Sequence, residues 1–239
     1  MSNKDLLYIE DANNRKLFYR FTPAAFASNF VPLIVILHGE DKSEAVNFEY
    51  KMWNVLTPID DFGYEDSGSC WLGEKGDFFV KDLLQELIEQ IAEEYECEEH
   101  IYLYGNSTGG YGAILHGILC KANAVYANVP HIRVPQTSNA DKKMKEFYRA
   151  IFSENVSKEN DLTSFLNPKD SFPIFYLCGD NNSVESGLED ETAYFADACK
   201  KHDIRVHQDF CPDAGEGENH ILKKVLDMFE HVPPVYTPQ

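Results

Sequence analysis

The sequence predicts an α/β fold in which a mostly parallel central sheet carries helices on both faces. Three observations support this prediction: strand-like and helix-like segments alternate after residue 31, several strand-like segments are apolar throughout, and 44% of the 239 residues are hydrophobic. Strands that are apolar throughout are buried on both faces, as in parallel sheets. The length suits one large core better than two, so we expect a single domain over residues 1–239.

The first two predicted strands form an antiparallel hairpin at an edge of the sheet. Residues 6–9 and 17–21 are apolar and aromatic, and they flank the turn-forming residues 11–14. The continuously apolar segment 33–37 is the first strand expected in the parallel part. The remaining predicted strands are 54–58, 101–104, 124–129, 174–178 and 205–210.

Helical periodicity lies between these strands. Apolar residues at 80, 84, 87, 88, 91 and 95 predict one helix face, with Asp77 as the N-cap. Further helices are predicted over 113–120, 189–201 and 221–231. The segment 131–168 interrupts the alternation, because it is polar, charged and long for a simple crossover. We expect it to be an inserted cap or lid over the carboxyl edge of the sheet, with a plain surface excursion as the alternative.

The charge balance excludes some classes of partner. Acidic residues number 40 and basic residues 21, which gives a net charge of −19. Nonspecific attraction to nucleic acid or to an anionic membrane surface is therefore not expected, and a polyanionic substrate would need local positive charge in the cleft. The amino terminus lacks a basic region followed by an apolar run, and no apolar stretch approaches the roughly 20 residues that span a bilayer. We expect a cytoplasmic protein without membrane insertion.

The cysteine pattern predicts free thiols. The six cysteines are scattered, several lie in apolar runs, and none forms a Cys-x-x-Cys pair. Such spacing favours buried thiols over disulfides or a zinc site, so no metal is expected.

The most informative motif is Gly105-Asn106-Ser107-Thr108-Gly109, which follows an apolar strand and opens a helix rich in small residues. A strand-to-helix elbow of this kind presents a nucleophilic serine from a strained backbone position, with glycines relieving the crowding on either side. Ser107 is the candidate nucleophile. The Thr108 amide at the helix N-terminus is a candidate oxyanion donor.

A serine nucleophile needs a base, and His220 is the predicted one. It lies in a glycine-rich loop between the last predicted strand and the last predicted helix. A base must in turn be oriented by a partner group. Structural roles are expected for the histidines near or on helices and before the elbow strand, namely His100, His116, His202 and His231.

Taken together, these features resemble the α/β-hydrolase superfamily over residues 33–232. The matching features are Leu-His-Gly at 37–39, the elbow at Ser107, an acidic loop near Asp180, and the late His220, and the order serine, acid, histidine is the one that superfamily uses. The resemblance implies a catalytic triad of Ser107, Asp180 and His220.

The resemblance also implies an oxyanion hole. Its donors would be the backbone amides of Thr108 and of Gly39 or Glu40, while His38 would shape the loop that carries them.

The acid is where the sequence departs from the superfamily pattern. A carboxylate commonly stands three residues after the glycine that closes the strand, but that position holds Asn182. Asp180 is favoured, with Glu185 and Asp190 as alternatives. Asn182 could itself orient the histidine, but an amide cannot offset an imidazolium charge and so implies a slower enzyme.

A second resemblance concerns the substrate. Residues 60–77 and 107–112 are similar to hydrolase-fold proteins of bacterial capsule and glycoconjugate biosynthesis, some of which resemble sugar O-acetyltransferases and deacetylases. Trp71 could stack on a sugar ring or could equally be a packing residue, and Tyr111 is a second candidate for substrate binding.

We therefore expect a serine-dependent acyl hydrolase or acyltransferase that resolves an acyl-Ser107 intermediate with water or a sugar hydroxyl. An O-acetyl esterase or O-acetyltransferase acting on a carbohydrate, in polysaccharide biosynthesis, fits both resemblances, and the partner is a small-molecule ester or carbohydrate. No cofactor is expected, except an acyl donor such as acetyl-CoA for a transferase. Small acyl groups are favoured, because no strongly apolar lid is evident. The alternative is a catalytically inactive hydrolase-fold binding or scaffold protein of a glycan pathway, which Asn182 supports.

Overall fold

The structure is a computed structural model that describes residues 6–26, 31–40, 46–134, 142–153, 156–179, 190–208 and 218–232. Within these ranges eight strands form a single sheet. The strands are β1 (Leu7–Glu10), β2 (Lys16–Thr22), β3 (Leu33–Leu37), β4 (Asn54–Ile59), β5 (Ile101–Asn106), β6 (Ala124–Asn128), β7 (Ile174–Cys178) and β8 (Val206–His207).

The sheet has the predicted, mostly parallel topology. Its order is β1-β2-β4-β3-β5-β6-β7-β8. The β1–β2 hairpin is antiparallel, and β2 pairs with β4 in the antiparallel sense. Every pair from β4–β3 to β7–β8 is parallel. The carboxyl ends of β3, β5, β6 and β7 therefore meet at one edge, where ligands bind in sheets of this type.

The described parts of the chain contain five α-helices, besides three short 3-10 helices. The α-helices are α1 (Phe79–Glu94), α2 (Thr108–Leu119), α3 (Lys142–Phe152), α4 (Glu191–Lys201) and α5 (Glu218–Phe229). Helix α2 starts earlier than predicted, directly after Ser107, and α3 lies where no helix was predicted. The prediction that Asp77 caps α1 is wrong: the N-cap residue is Phe78, without a side-chain cap bond, and the Asp77 carboxylate binds Arg15 at 2.5 Å.

The sheet separates two apolar cores, because successive residues of a strand point to opposite faces. Leu33, Val35 and Leu37 of β3 lie in the core that includes α1, α2, α3 and α4. Ile34 and Ile36 lie in the other core, which includes α5. All five side chains are fully buried, and complete burial of such a side chain stabilises the fold by about 1.5–3 kcal/mol. The predicted helices on both faces are therefore confirmed.

The segment 131–168 packs onto the main core where it is described. Ile151 and Phe152 of α3 belong to the same apolar cluster as α1. Glu159 joins the segment to two helices, because its carboxylate binds Lys81 of α1 at 2.8 Å and its carbonyl accepts a 2.6 Å hydrogen bond from the Tyr111 hydroxyl. The role of this segment as a cap or lid over the carboxyl edge remains a prediction.

The thiol expectation is confirmed for four of the cysteines and wrong for one. Cys70, Cys97, Cys120 and Cys199 are free, whereas Cys178 is disulfide-bonded. None of the helices in the described ranges has the length and apolar composition that a bilayer-spanning segment needs. The same ranges contain no group of three or more metal-ligating side chains placed to hold an ion.

Candidate active site

The serine motif forms the sharp turn that its glycines predict. Ser107 joins β5 to α2 with φ 53° and ψ −118°, a left-handed conformation that costs a non-glycine residue free energy. A Cβ atom on Gly105 would lie 2.0 Å from the Gly109 carbonyl oxygen, and one on Gly109 would lie 2.3 Å from the Leu37 carbonyl oxygen. Only glycine permits these approaches, so the motif holds α2 tightly against β3 and β5.

Hydrogen bonds fix the Ser107 backbone to the neighbouring strand and helix. Its N–H donates to the Asn128 carbonyl at 2.9 Å, and its carbonyl accepts from the Tyr111 N–H at 3.2 Å. The Asn128 side-chain amide donates to the Asn106 side chain at 3.0 Å. The serine is thus held at the carboxyl edge of the sheet, with its hydroxyl pointing into a cluster of polar groups.

That cluster contains one imidazole, one carboxylate and one phenol. The Nε2 atom of His131 lies 3.2 Å from Ser107 Oγ. Glu40 Oε1 lies 3.5 Å from the same Oγ and 3.5 Å from His131 Nε2. The Tyr148 hydroxyl lies 3.5 Å from His131 Nδ1. His131 and Glu40 keep about a third of their side-chain surface exposed, so the cluster opens to solvent and to a substrate.

Two backbone segments border Ser107 where an oxyanion hole was predicted. A Cβ on Gly39 would lie 3.3 Å from Ser107 Cβ, so the backbone after β3 runs directly along the serine. Thr108 is the first residue of α2, and the first amides of a helix have no intrahelical acceptor. The positions of Thr108, Gly39 and Glu40 are compatible with the predicted oxyanion donors, and that role remains a prediction.

His38 fixes the backbone after β3, as its predicted shaping role requires. Its Nε2 lies 2.9 Å from the Asp60 N–H, and its Nδ1 lies 2.9 Å from the Gly39 carbonyl oxygen. Because the Asp60 amide can only donate, Nε2 accepts and the proton sits on Nδ1, which donates to Gly39. A neutral imidazole therefore ties the segment after β3 to the end of β4.

A buried carboxylate completes this tie. Asp60 is 1% exposed and accepts hydrogen bonds from the Ser69 N–H at 2.7 Å, the Ser69 hydroxyl at 2.9 Å and the Trp71 N–H at 2.8 Å. Burial raises the pKa of Asp60, while the hydrogen bonds from Ser69 and Trp71 act in the opposite direction. The hydrogen bonds of Asp60 and His38 thus connect the loop 69–71 to the backbone after β3, where the oxyanion donors are predicted.

The two candidate substrate-binding residues are buried in this structure. Trp71 is 1% exposed, and its indole N–H donates to the His38 carbonyl at 3.2 Å. Tyr111 is completely buried with its hydroxyl bonded to Glu159. Both rings therefore pack inside the protein in this structure, as the packing alternative for Trp71 describes, and a role of either residue in substrate binding remains a prediction.

The remaining predicted catalytic residues are only partly described. His220 lies exposed in the first turn of α5. Asp180, Asn182 and Glu185 lie outside the described residues. Asp190 caps α4, since its Oδ1 accepts from the Thr192 amide at 2.9 Å and from the Thr192 hydroxyl at 2.6 Å. The assignment of His220 and Asp180 to a triad remains a prediction.

Sequence reasoning missed the side chains that contact the serine hydroxyl. The sequence indicates His131 only as the first residue of the predicted cap segment and Glu40 only as a predicted amide donor. Both follow parallel strands at the carboxyl edge, His131 shortly after β6 and Glu40 shortly after β3. That placement, shared with Ser107 after β5, is a signal in the sequence that could have identified them.

Comparison with known proteins gives structural likeness alone. No protein-family model and no curated protein sequence matches the chain. Among solved structures, a substrate-bound fluorophosphonate-binding serine hydrolase F of Staphylococcus aureus superimposes with a TM-score of 0.68 at 12% identity, covering 94% of this chain and 96% of that one. The capsule O-acetyltransferase of Neisseria meningitidis serogroup A gives 0.68 at 14% identity, with 97% of both chains covered. An S-formylglutathione hydrolase of Agrobacterium tumefaciens gives 0.65 at 15% identity, with 95% of both covered.

These likenesses extend over almost the whole of each chain, so they concern a complete fold and not an isolated motif. At identities of 12–15% these likenesses establish the fold only. The chemistry has to be argued from the residues of this chain.

Proposed function

The chain has the α/β-hydrolase fold, and from this premise we propose that it is a serine-dependent acyl hydrolase or acyltransferase working through an acyl-Ser107 intermediate. One observation carries the proposal. Ser107 occupies the strained turn between β5 and α2, and an imidazole nitrogen lies 3.2 Å from its Oγ. A serine hydroxyl in contact with a base is the arrangement that nucleophilic acyl transfer requires.

The proposed reaction has two halves. Ser107 Oγ attacks the ester carbonyl while a histidine takes its proton, and the leaving alcohol then receives that proton. Water or a sugar hydroxyl next attacks the acyl-serine and releases Ser107. The backbone amides of Thr108 and of Gly39 or Glu40 would stabilise the oxyanion. In the form that the resemblance implies, His220 is the base and Asp180 its acid.

For the substrate we propose an O-acetyl group on a carbohydrate. This part rests on the likeness to a capsule O-acetyltransferase and on the sequence resemblance to glycoconjugate proteins. An esterase would transfer the acetyl group to water, whereas a transferase would take it from a donor such as acetyl-CoA. The two differ in how well the cleft excludes water and positions an alcohol.

Intact-mass measurement after treatment with a fluorophosphonate tests the proposal. We expect one phosphonyl adduct on the wild type and none on Ser107→Ala. An unlabelled, folded wild type would contradict the proposed function and favour the inactive binding protein.

A comparison of p-nitrophenyl acetate with p-nitrophenyl octanoate as substrates tests the acyl class. We expect a higher kcat/KM for hydrolysis of the acetate.

A further inference from the structure

His131 has no assigned role in the reaction as the resemblance implies it, yet its imidazole meets the nucleophile. The Nε2 atom lies 3.2 Å from Ser107 Oγ, within the range expected for a base and the proton it removes. Contacts of the chain before and after His131 hold the imidazole in this position.

The backbone before His131 is strained in a way that directs the chain toward Ser107. Val129 has φ 43°, a left-handed conformation that a β-branched residue rarely adopts. Its N–H donates to the Cys178 carbonyl at 2.8 Å, which holds the turn in place. Such strain persists only where the surroundings enforce it, and it concentrates at functional sites.

The loop then passes closely over the helix that follows the serine. A Cβ on Gly110 would lie 2.9 Å from Pro130 Cβ, so the absence of a side chain at Gly110 makes room for Pro130. The His131 N–H donates to the Ser107 carbonyl at 3.4 Å. The histidine backbone is thus bonded to the residue that its side chain contacts.

A carboxylate of α4 fixes the chain after His131. The N–H groups of Ile132 and Arg133 donate to Glu191 Oε2 at 3.3 and 2.9 Å. The Arg133 guanidinium donates to Oε1 of the same carboxylate at 3.0 and 2.6 Å, and it lies 4.2 Å from the ring centroid of Tyr194. Charge-assisted hydrogen bonds of this kind are about twice as strong as neutral ones, so the loop is fixed on both sides of the imidazole.

The surroundings of the ring suit a proton acceptor. Burial raises the pKa of Tyr148 far above its usual value, so its hydroxyl stays neutral and its oxygen can accept a hydrogen bond from the Nδ1–H group of His131. The tautomer protonated on Nδ1 leaves the Nε2 lone pair for Ser107. The Glu40 carboxylate, 3.5 Å from Nε2, would offset the positive charge that the ring gains on taking the proton.

From this geometry we propose that His131 is a general base for Ser107, with Tyr148 orienting the ring and Glu40 offsetting its charge. The proposal deepens the proposed function and rests on it. As the bond between Ser107 Oγ and the acyl carbon forms, the Oγ–H bond breaks and the proton moves to Nε2. The departing alkoxide then takes that proton from Nε2. In the second half-reaction the attacking water or alcohol gives a proton to Nε2, and Nε2 passes it to Ser107 Oγ as the bond between Oγ and the acyl carbon breaks. The long contacts at 3.5 Å would shorten when substrate excludes solvent.

The test measures the rate of fluorophosphonate labelling at Ser107 in the full-length chain. We expect His131→Gln to slow labelling by about 10²- to 10⁴-fold, because glutamine can hydrogen-bond the serine but cannot accept its proton. The same change at the exposed His202, a helix-end residue, serves as the matched control and leaves the rate at the wild-type value. Thermal melting of each variant checks that the fold is retained.

A rescue experiment separates proton transfer from support of the loop. Imidazole added to His131→Ala should restore labelling in proportion to its concentration, because the site is open to solvent. His220→Asn, measured alongside, tests the base implied by the resemblance. Wild-type labelling rates for His131→Gln, or no imidazole rescue of a slowed and folded His131→Ala, would overturn the inference alone. Absence of labelling in the wild type would overturn the proposed function and the inference together.

Discussion

At the scale of single residues, the Ser107 hydroxyl lies between the imidazole of His131 and the carboxylate of Glu40. A carboxylate beside a nucleophile normally opposes the oxyanion that forms there, so Glu40 favours reaction only if a positive charge forms next to it. The 3.5 Å separation of Glu40 Oε1 from His131 Nε2 supplies that pairing. The electrostatics of the cluster therefore depend on the imidazole as much as on the serine.

The Glu40 carboxylate is expected to accelerate acylation. Glu40→Gln keeps the size and polarity of the side chain but removes its charge, so it should slow labelling of Ser107 about tenfold, equivalent to about 1.4 kcal/mol of barrier. Stopped-flow or timed intact-mass measurement of the labelling rate checks this. Glu49→Gln, on a residue not implicated in the site, is the control. A rate that rises in Glu40→Gln would show that the carboxylate hinders the oxyanion.

The buried Asp60 carboxylate supports the backbone that follows β3, where the oxyanion donors are predicted. Asp60→Asn turns one acceptor oxygen into a donor facing the Ser69 and Trp71 amides, so it leaves buried donors unpaired. We expect the free energy of unfolding to fall by about 2 kcal/mol and labelling at Ser107 to slow. Urea unfolding measures the change in the free energy of unfolding. The same change at the half-buried Asp61 removes an equal charge. It should lower the free energy of unfolding less and slow labelling at Ser107 less than Asp60→Asn does.

At the scale of elements, α2 is fixed by a neutral histidine. His116 Nδ1 lies 2.7 Å from the Gln85 amide of α1, and its Nε2 lies 3.1 Å from the Trp71 carbonyl. The amide donates to Nδ1, so Nε2 carries the proton and donates to Trp71. Burial lowers the pKa of His116 from 6.5 to about 4, and Lys81 contributes in the same direction.

This lowered pKa predicts a loss of stability in acid. The unfolded chain binds a proton on His116 near pH 6.5, whereas the native chain resists protonation down to about pH 4, so the penalty grows as pH falls through that interval. At 1.36 kcal/mol per unit, the wild type should lose about 3 kcal/mol between these limits relative to His116→Gln. Urea unfolding of both proteins at about pH 7 and pH 4.5 measures the difference. Parallel pH profiles for the two would contradict the prediction.

The close passage of α2 under the His131 loop is a second test at this scale. Gly110→Ala would place a methyl group 2.9 Å from Pro130 Cβ and displace the loop. A shift of about 1 Å can cost on the order of a hundredfold in rate, so we expect labelling to slow by about tenfold or more.

The control for this change is another glycine of the same helix. Gly117→Ala would meet Val125 Cγ2 at 2.3 Å, on the face of α2 that packs on the sheet. It should lower the melting temperature without slowing labelling in the folded protein. Equal effects of the two variants on labelling would mean that the overlap disturbs α2 as a whole.

Elements governed by local pattern were predictable from sequence, and those governed by distant contacts were not. The apolar run of β3 and the glycines of the Ser107 motif each specify a local geometry. Helix α3 was missed because its charged residues concealed an apolar face at Phe147, Ile151 and Phe152, spaced as a helix requires. The contact between His131 and Ser107 depends on the left-handed Val129, a conformation that tertiary contacts impose and that no local residue preference indicates.

At the scale of the whole molecule, the mostly parallel sheet with helices on both faces was predictable, because it follows from the alternation of strand-like and helix-like segments along the chain, whereas the order of the strands was not predicted. The candidate site was predictable only where it belongs to one segment, as Ser107 and Thr108 do. Its other residues are Glu40, which follows β3, and His131 and Tyr148, which lie in the segment 131–168 after β6. They lie near Ser107 because of the order of the strands in the sheet. The surface charge, by contrast, is a global quantity that the composition gives directly.

The net charge of −19 predicts how the choice of acyl donor depends on salt. A polyanionic donor such as acetyl-CoA is repelled by the molecule as a whole, and raising ionic strength from about 0.01 to 0.15 M shortens the screening length from about 30 to 8 Å. We expect kcat/KM for acetyl-CoA hydrolysis or transfer to rise severalfold over this range, while that for neutral p-nitrophenyl acetate changes less than about twofold. The neutral ester controls for salt effects on the chemistry, since both donors form the same acetyl-Ser107. A kcat/KM for acetyl-CoA that falls with salt would instead reveal local positive charge at the cleft, strong enough to outweigh the field of the whole protein.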